Sequence, residues 1–383
     1  MSFKPDFKFF RREKKTKLGT PPIKDVSPDF DDLSSGMQGI MQDLENIPNN
    51  EDFKILPIEE VSAEVKEGFK NKVWRKIPIS ETITAEPKHL EVVPNRPISG
   101  KAMAWPAYYK TVKEGLENDG KPKGVGELAQ TMEGGIQGSP IVKIRTELKS
   151  KLDEAQKLLD SNPKTSNLQI VLVDGYRRVD VQKSLFDAYR NYVISQHPGI
   201  SEEESRNLAI KMVSEPPSDP SVLEKCPPPH STGGSADVVL VFKDKINIDS
   251  DYWLEEAMVP FGAKFDEMMH PEFRDERSET TFYEKKSDLT EDEKKALEFR
   301  RILYHTFTKV GFTNYFTEFW HYDFGNQFNA LTAGKPTAQF GFAGGLENNK
   351  VREELNAERK AFEAYKAQVG TEEAERVKHH FGL

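Results

Sequence analysis

The stretch PPPHSTGGSADVVL, residues 227–240, decides how this chain is to be read. It opens with three prolines, turns at Gly233 and Gly234, and runs on into ADVVLVF (residues 236–242), an apolar, β-branched run that reads as a buried strand. His230 and Asp237 are seven residues apart. On one continuous strand an odd separation sends two side chains to opposite faces. The glycine pair removes that obstacle by letting the chain fold back, with His230 on the loop and Asp237 on the strand. A second stretch, TEFWHYDFG (residues 317–325), alternates Trp320, Tyr322 and Phe324 with His321 and Asp323. That pattern suits a strand with an apolar back and a polar front. Glu318 reaches the same front if the chain bends near Phe319.

Two histidines and an aspartate, His230, Asp237 and His321, are a fitting trio of protein ligands for a catalytic zinc, with Glu318 outside the coordination sphere as a base for the attacking water. By spacing alone the plainer reading also stands, with each histidine a surface or core residue. His89, His197, His270, His305, His379 and His380 have no comparable neighbours and read as structural or surface residues.

Composition narrows the field. A formal net charge of −9 over 383 residues argues against a general nucleic-acid or anionic-membrane binder. The 24 phenylalanines supply material for a core, while the mean hydropathy of −0.66 requires long polar segments beside it. One cysteine, Cys226, allows neither an intramolecular disulfide nor a cysteine-rich zinc cluster. The basic start MSFKPDFKFFRREKKTK has no apolar run behind it, so no secretory signal or membrane span is expected and the cytoplasm is the default location.

Along the chain, residues 1–57 read as a disordered extension by composition, with a docking peptide for a partner as the alternative. Residues 58–140 read as loops and short elements around a later core. A helix is expected with Ile144, Leu148, Leu152 and Leu159 on one face, then a buried strand at residues 168–174, then a helix carrying Val181, Leu185, Tyr189, Tyr192 and Val193. Ser201 with Glu204 and Thr290 with Glu293 are capping-box signatures for two more helices. The first carries Leu208, Met212 and Val213; the second carries Ala296, Phe299, Leu303, Phe307 and Val310 and is closed by Gly311. The proline-rich residues 214–229 are expected to be irregular. Residues 312–316 and 319–324 read as paired strands, and residues 346–383 as a charged surface helix bearing Val351, Leu355, Phe362 and Tyr365. Helices and strands mix without regular alternation, which predicts an α+β fold.

Four segments, DGYRR (174–178), HSTGGSADV (230–238), GAKFDEM (262–268) followed by DERS (275–278), and GFTNYFTEFWHYDFG (311–325), occur in the order seen in D-alanyl-D-alanine dipeptidases. Those enzymes belong to a wider zinc-peptidase group with D,D-carboxypeptidases and hedgehog-type domains. The resemblance is concentrated in residues 165–330 and implies a catalytic domain over residues 58–345, built on a small, mainly antiparallel sheet that carries a zinc site and is flanked by helices. It implies one Zn2+ per chain on His230, Asp237 and His321, Glu318 as catalytic base, Arg177 as the oxyanion-stabilising cation, and Asp266 as the carboxylate that holds the free amine of a dipeptide substrate. The implied activity is hydrolysis of a short D-amino-acid dipeptide, D-Ala-D-Ala above all. A carboxypeptidase acting on peptidoglycan stem peptides and a zinc-binding module without turnover are the alternatives. The chain departs from the family pattern in two places: Pro228 replaces a hydroxyl residue two before the first histidine, and Ser235 and Ala236 are displaced by one relative to the usual alanine.

Overall fold

A computed structural model describes residues 55–81, 88–105, 141–211, 213–248, 250, 253–263, 276–344, 360–361, 363–368 and 370–371. All of them belong to one compact unit, Asn49–Leu383. Residues 1–54 of the extension expected at residues 1–57, Met212, and the helical positions Val351, Leu355 and Phe362 lie outside the described residues.

The strands are β1 (Glu91–Val92), β2 (Met103–Ala104), β3 (Lys143–Ile144), β4 (Leu168–Asp174), β5 (Ser235–Phe242), β6 (Thr313–Asn314) and β7 (His321–Asp323). β1 pairs with β3 on its own; the other five form one sheet in the order β2-β4-β5-β7-β6. Among the described strands of this sheet only β2 runs parallel to its neighbour, and the remaining pairs are antiparallel. With its flanking helices the fold is α+β, as the mixed pattern of elements predicts.

The sheet's centre is β4 against β5. Every residue of both strands is buried, and Leu168 to Leu172 pair in unbroken register with Phe242 to Val238. Burial on both faces explains why these segments read as continuous apolar runs rather than as an alternation. Among the described residues the helices that bear on the sheet and the site are α1 (Ala63–Lys70), α2 (Thr146–Ser161), α3 (Val179–Gln196), α4 (Glu202–Ala209), α5 (Pro220–Lys225), α6 (Trp253–Ala257), α7 (Glu291–Lys309) and α8 (Gln327–Thr332). α2 and α7 touch each other, and they lie on β4 and β5 respectively. α2 buries Leu148, Leu152, Ala155 and Leu159; α7 buries Phe299, Leu303 and Phe307, with Phe299 edge-on to Phe242 at 5.8 Å between ring centres.

Both capping boxes form, with the hydroxyls of Ser201 and Thr290 accepting from the backbone N–H groups of Glu204 and Glu293. Gly311, at φ +100°, follows the end of α7. Four expectations need correction. Ile144 belongs to β3, because the chain between residues 141 and 145 is spent on pairing with β1 before the helix begins at Thr146. The helix capped by Ser201 ends at Ala209, so Leu208 is on it and Val213 is not. The proline-rich stretch is not wholly irregular: Pro220 occupies the first turn of α5, where its missing N–H costs nothing, and the Asp219 side chain caps that turn. At the C-terminus, residues 363–368 are helical, and Tyr365 is buried against Ile141 rather than lying free on the surface.

Candidate metal centre

The centre forms where β5 meets β7. Asp237 pairs directly with His321, Ala236 with Tyr322, and Ser235 with Asp323. One register therefore brings together two parts of the chain 84 residues apart. His230 arrives from the other side, on a single 3-10 turn spanning Pro229–Thr232. Gly233 ends that turn at φ +68°, in the left-handed region that glycine enters without a steric penalty. At Gly234 a Cβ would sit 2.7 Å from the carbonyl oxygen of Phe324, so a side chain there would force the loop off β7. These two glycines produce the fold-back expected from the sequence.

The loop is fastened from several directions. The Arg145 Nε–H donates to the carbonyl of Thr232 at 2.7 Å, and its guanidinium forms a two-pronged pair with Glu81. The Ala343 N–H donates to the Ser231 carbonyl at 3.0 Å. The Ser231 hydroxyl donates to the Arg177 carbonyl at 2.9 Å.

His230, Asp237 and His321 are all buried, and one donor atom from each lies within 4.8 Å of the others. The two imidazoles stand nearly perpendicular, at 76° with centroids 5.0 Å apart. His230 Nε2 is 3.4 Å from one Asp237 oxygen, and His321 Nδ1 is 2.9 Å from the other. The outward nitrogens are both spoken for. His230 Nδ1–H donates to the Gly175 carbonyl at 2.8 Å, and His321 Nε2–H donates to Asp323 Oδ2 at 3.1 Å. In neutral imidazole the second nitrogen is then a lone pair, so two lone pairs and a carboxylate converge on one buried point. Such a cluster needs a positive charge at its centre.

In the absence of an ion, protons answer that need. Burial pulls the His321 pKa down, but the negative charges of Asp323 and Asp237 prevail and hold it well above the usual histidine value. Burial would raise Asp237, yet the adjoining His230 and His321 keep its carboxyl well below the ordinary carboxylate range. A divalent cation would take the place of those protons, and two imidazole nitrogens with one carboxylate oxygen are a fitting donor set for zinc. The backing of each histidine by a carbonyl or carboxylate is the arrangement that orients metal-binding imidazoles.

Glu318 is 8 % exposed, and its Oε2 lies 3.8 Å from His321 Nδ1, the nitrogen that faces Asp237. The expected bend is a turn in which the His321 N–H donates to the Glu318 carbonyl at 3.2 Å. Asn314 holds that turn by donating to the carbonyls of both Glu318 and His321, at 2.9 Å each. Arg177 is buried at the end of β4, and its backbone N–H donates to the His230 carbonyl at 3.2 Å. Its guanidinium pairs with Asp174 and donates to Gln182 at 2.8 Å. Arg178 pairs instead with Asp180. Asp266 lies outside the described residues. Trp320 and Tyr322 are core residues, and Tyr322 packs on Phe307 with ring centres 4.5 Å apart.

Sequence reasoning gave no role to Asp323 or Ser235. The alternation of WHYD already put Asp323 on the same face as His321. The contact of Ser235 with Asp323, across 88 residues, left no local trace. Among the described residues no helix is long and apolar enough to cross a membrane.

No curated protein matches this chain. The family model for D-ala-D-ala dipeptidase matches residues 144–336, 193 of the 383 residues, a span that begins in β3 and ends just past α8. It takes in β4, the His230 loop, β5, α7 and β7, so every described side chain of the buried cluster falls inside it. A metallopeptidase sheet carrying convergent imidazole and carboxylate donors is what this match and this geometry have in common, and the chain belongs to the D-ala-D-ala dipeptidase family.

Proposed function

We propose that this chain hydrolyses a short free dipeptide of D-amino acids, D-Ala-D-Ala or a near relative, with one Zn2+ held by His230, Asp237 and His321. The observation that carries the reading is the pair of imidazole nitrogens, His230 Nε2 and His321 Nδ1, facing Asp237 with the Glu318 carboxylate beside them. A zinc ion bound there supplies Lewis acidity, polarising the scissile carbonyl and making water easier to deprotonate. Glu318 takes the proton from the attacking water on its carboxylate and returns it to the departing amine nitrogen as the C–N bond breaks. A purely structural site has no use for such a base, which favours turnover over a binding module.

Arg177 provides a fixed cation. Its backbone is tied to the His230 carbonyl and its guanidinium is braced by Asp174 and Gln182, so it does not have to be ordered when negative charge develops on the carbonyl oxygen. Preorganised stabilisation of that kind is worth roughly 10²–10³ in rate. Asp266, assigned by resemblance, would hold the substrate's ammonium group and so select a free dipeptide over a longer peptide, whose corresponding nitrogen is an uncharged amide. Pro228 provides no hydroxyl at the position where the family has one, and a substrate differing from D-Ala-D-Ala in the group that hydroxyl meets is consistent with that change.

The test is hydrolysis of free D-Ala-D-Ala, its N-acetylated form and matched L,L- and L,D-dipeptides by protein stripped of metal and then given Zn2+. Zinc-restored cleavage of the free D,D-dipeptide, with the acetylated form refused, is the expected result. Preference for the acetylated substrate would make the protein a carboxypeptidase and remove the role of Asp266. A protein that takes up no divalent metal defeats the reading entirely.

A further inference from the structure

Asp323 stands behind His321 in a hydrogen-bond arrangement that leaves little choice about where each proton sits. Its Oδ2 accepts from His321 Nε2–H at 3.1 Å. Its Oδ1 accepts from the Ser235 hydroxyl and from Asn326 Nδ2, both at 2.6 Å. The Asn326 amide cannot turn round, because its Oδ1 caps α8 by accepting from the Asn329 N–H at 2.9 Å. The same Nδ2 donates to Ser235 Oγ at 3.0 Å, which directs the hydroxyl proton of Ser235 onto Asp323. Two donors are thus fixed on one carboxylate oxygen, and the other oxygen must accept from the imidazole. All four side chains are buried, so water does not substitute for a lost partner.

We propose that Asp323, clamped by Ser235 and Asn326, is a positioning residue that sets the tautomer of His321 and so makes Nδ1 the nitrogen offered to the metal. The proposal rests on the metal reading above. It gives a purpose to Ser235, one of the two departures from the family pattern: its hydroxyl is part of the clamp. Ser235 and Asp323 are directly paired across β5 and β7, so the clamp and the Asp237–His321 pair are successive rungs on the polar side of one ladder.

The proton inventory yields a test that charge or packing alone would not pass. In Asp323→Asn the carbonyl oxygen must face the two fixed donors, which turns the new NH2 group toward His321 Nε2. That nitrogen must then accept, the imidazole proton moves to Nδ1, and the metal-facing lone pair is lost. Asp323→Ala removes the same charge but leaves the ring free to choose its tautomer. Zn2+ and Co2+ affinities of the full chain are measured by chelator competition for the parent, Asp323→Asn, Asp323→Ala and the double variant Asp323→Asn with Asn326→Asp, alongside thermal unfolding of each metal-free protein. Asp323→Asn is expected to lose affinity by about 10–100-fold, the range typical of groups that support a metal ligand, and to lose more than Asp323→Ala. The double variant provides an acceptor at position 326, lets the amide introduced at position 323 turn its oxygen to the imidazole, and recovers most of the loss.

An Asp323→Asn affinity within twofold of the parent, or a loss in Asp323→Ala as large as in Asp323→Asn, overturns the proposal. The unfolding data show whether each variant folds, and the double variant and Asp323→Ala keep the comparison available should Asp323→Asn alone be unstable. Failure of the parent to bind either metal would instead strike the reading on which the proposal rests, so the two failures are distinguishable.

Discussion

β5 is one strand with two unlike ends. From Val238 to Phe242 it pairs with β4 as a ladder that is apolar except for Gln169, covered by helices and secured by burial. From Ser235 to Asp237 it pairs with β7 and carries a buried serine and a buried aspartate, opposite a second aspartate and a histidine. Apart from Gln169, whose amide donates to Gln156 Oε1 at 2.9 Å, this end carries no polar side chain and no charge, so pH and metal should leave it unmoved. The polar end is stable only while every donor meets an acceptor and every negative charge meets a positive one. On the proposed function, holding the fold and doing chemistry fall to opposite ends of a single strand, and damage at one end should leave the other largely untouched.

The sharpest division is expected from Glu318→Gln. It removes the proton carrier and keeps the shape, so hydrolysis should fall by roughly 10²–10⁴-fold. Metal content and unfolding midpoint should stay near those of the parent. Full activity in this variant would sink the mechanism.

The converse experiment acts on the apolar end. Leu240 is fully buried, and Leu240→Ala should cost about 2–5 kcal/mol of stability in denaturant unfolding. At temperatures where the variant remains folded, its zinc affinity should match the parent's. A large loss of affinity would mean that the two ends are coupled after all.

The smallest effect, and the one most specific to the polar end, is in pH. The folded-state pKa of His321 is raised above its unfolded value, so its protonated form stabilises the metal-free protein fully below about pH 6.5, and that stability fades as pH rises through the raised value. Asp237 enters with the opposite sign at the acid end: its pKa is depressed, so its contribution is lost only as pH falls through that low value. Metal-free protein should therefore lose unfolding temperature as pH rises above neutrality, while zinc-loaded protein should not, because the ion has taken the proton's place. Parallel pH profiles for the two forms would refute this.

How much of this could be read in advance follows the same division. β4 and β5 announce themselves as β-branched runs, and α7 as an amphipathic helix with a capping box, because each depends on neighbours a few residues away. The donor residues were visible too, through the glycine turn and the alternation of WHYD. Their meeting was not, since the register Asp237 to His321 is a pairing between distant parts of the chain. Arg177 was carried by resemblance, and the structure places it behind the His230 carbonyl. α5 escaped notice because proline is hostile to a helix everywhere except its first turn, where Pro220 sits. Ser235 was seen only as an irregularity, because its reason lies 88 residues further on.

The fastening of the His230 loop has a consequence in time. The Gly341 N–H donates to Glu81 across 260 residues, Glu81 grips Arg145, and Arg145 holds the Thr232 carbonyl, while Ala343 secures Ser231. Closing so wide a ring costs little more free energy than closing one half as long, since the entropy grows only with the logarithm of length. It cannot close before its last piece has been made. During synthesis at about 5–20 residues per second, His230 leaves the ribosome roughly 10 s before Gly341 does. A nascent chain therefore displays His230 before it owns the loop fastening that holds this imidazole beside Asp237. The clasp works as a clock, and incomplete chains should remain without hydrolytic activity until it shuts.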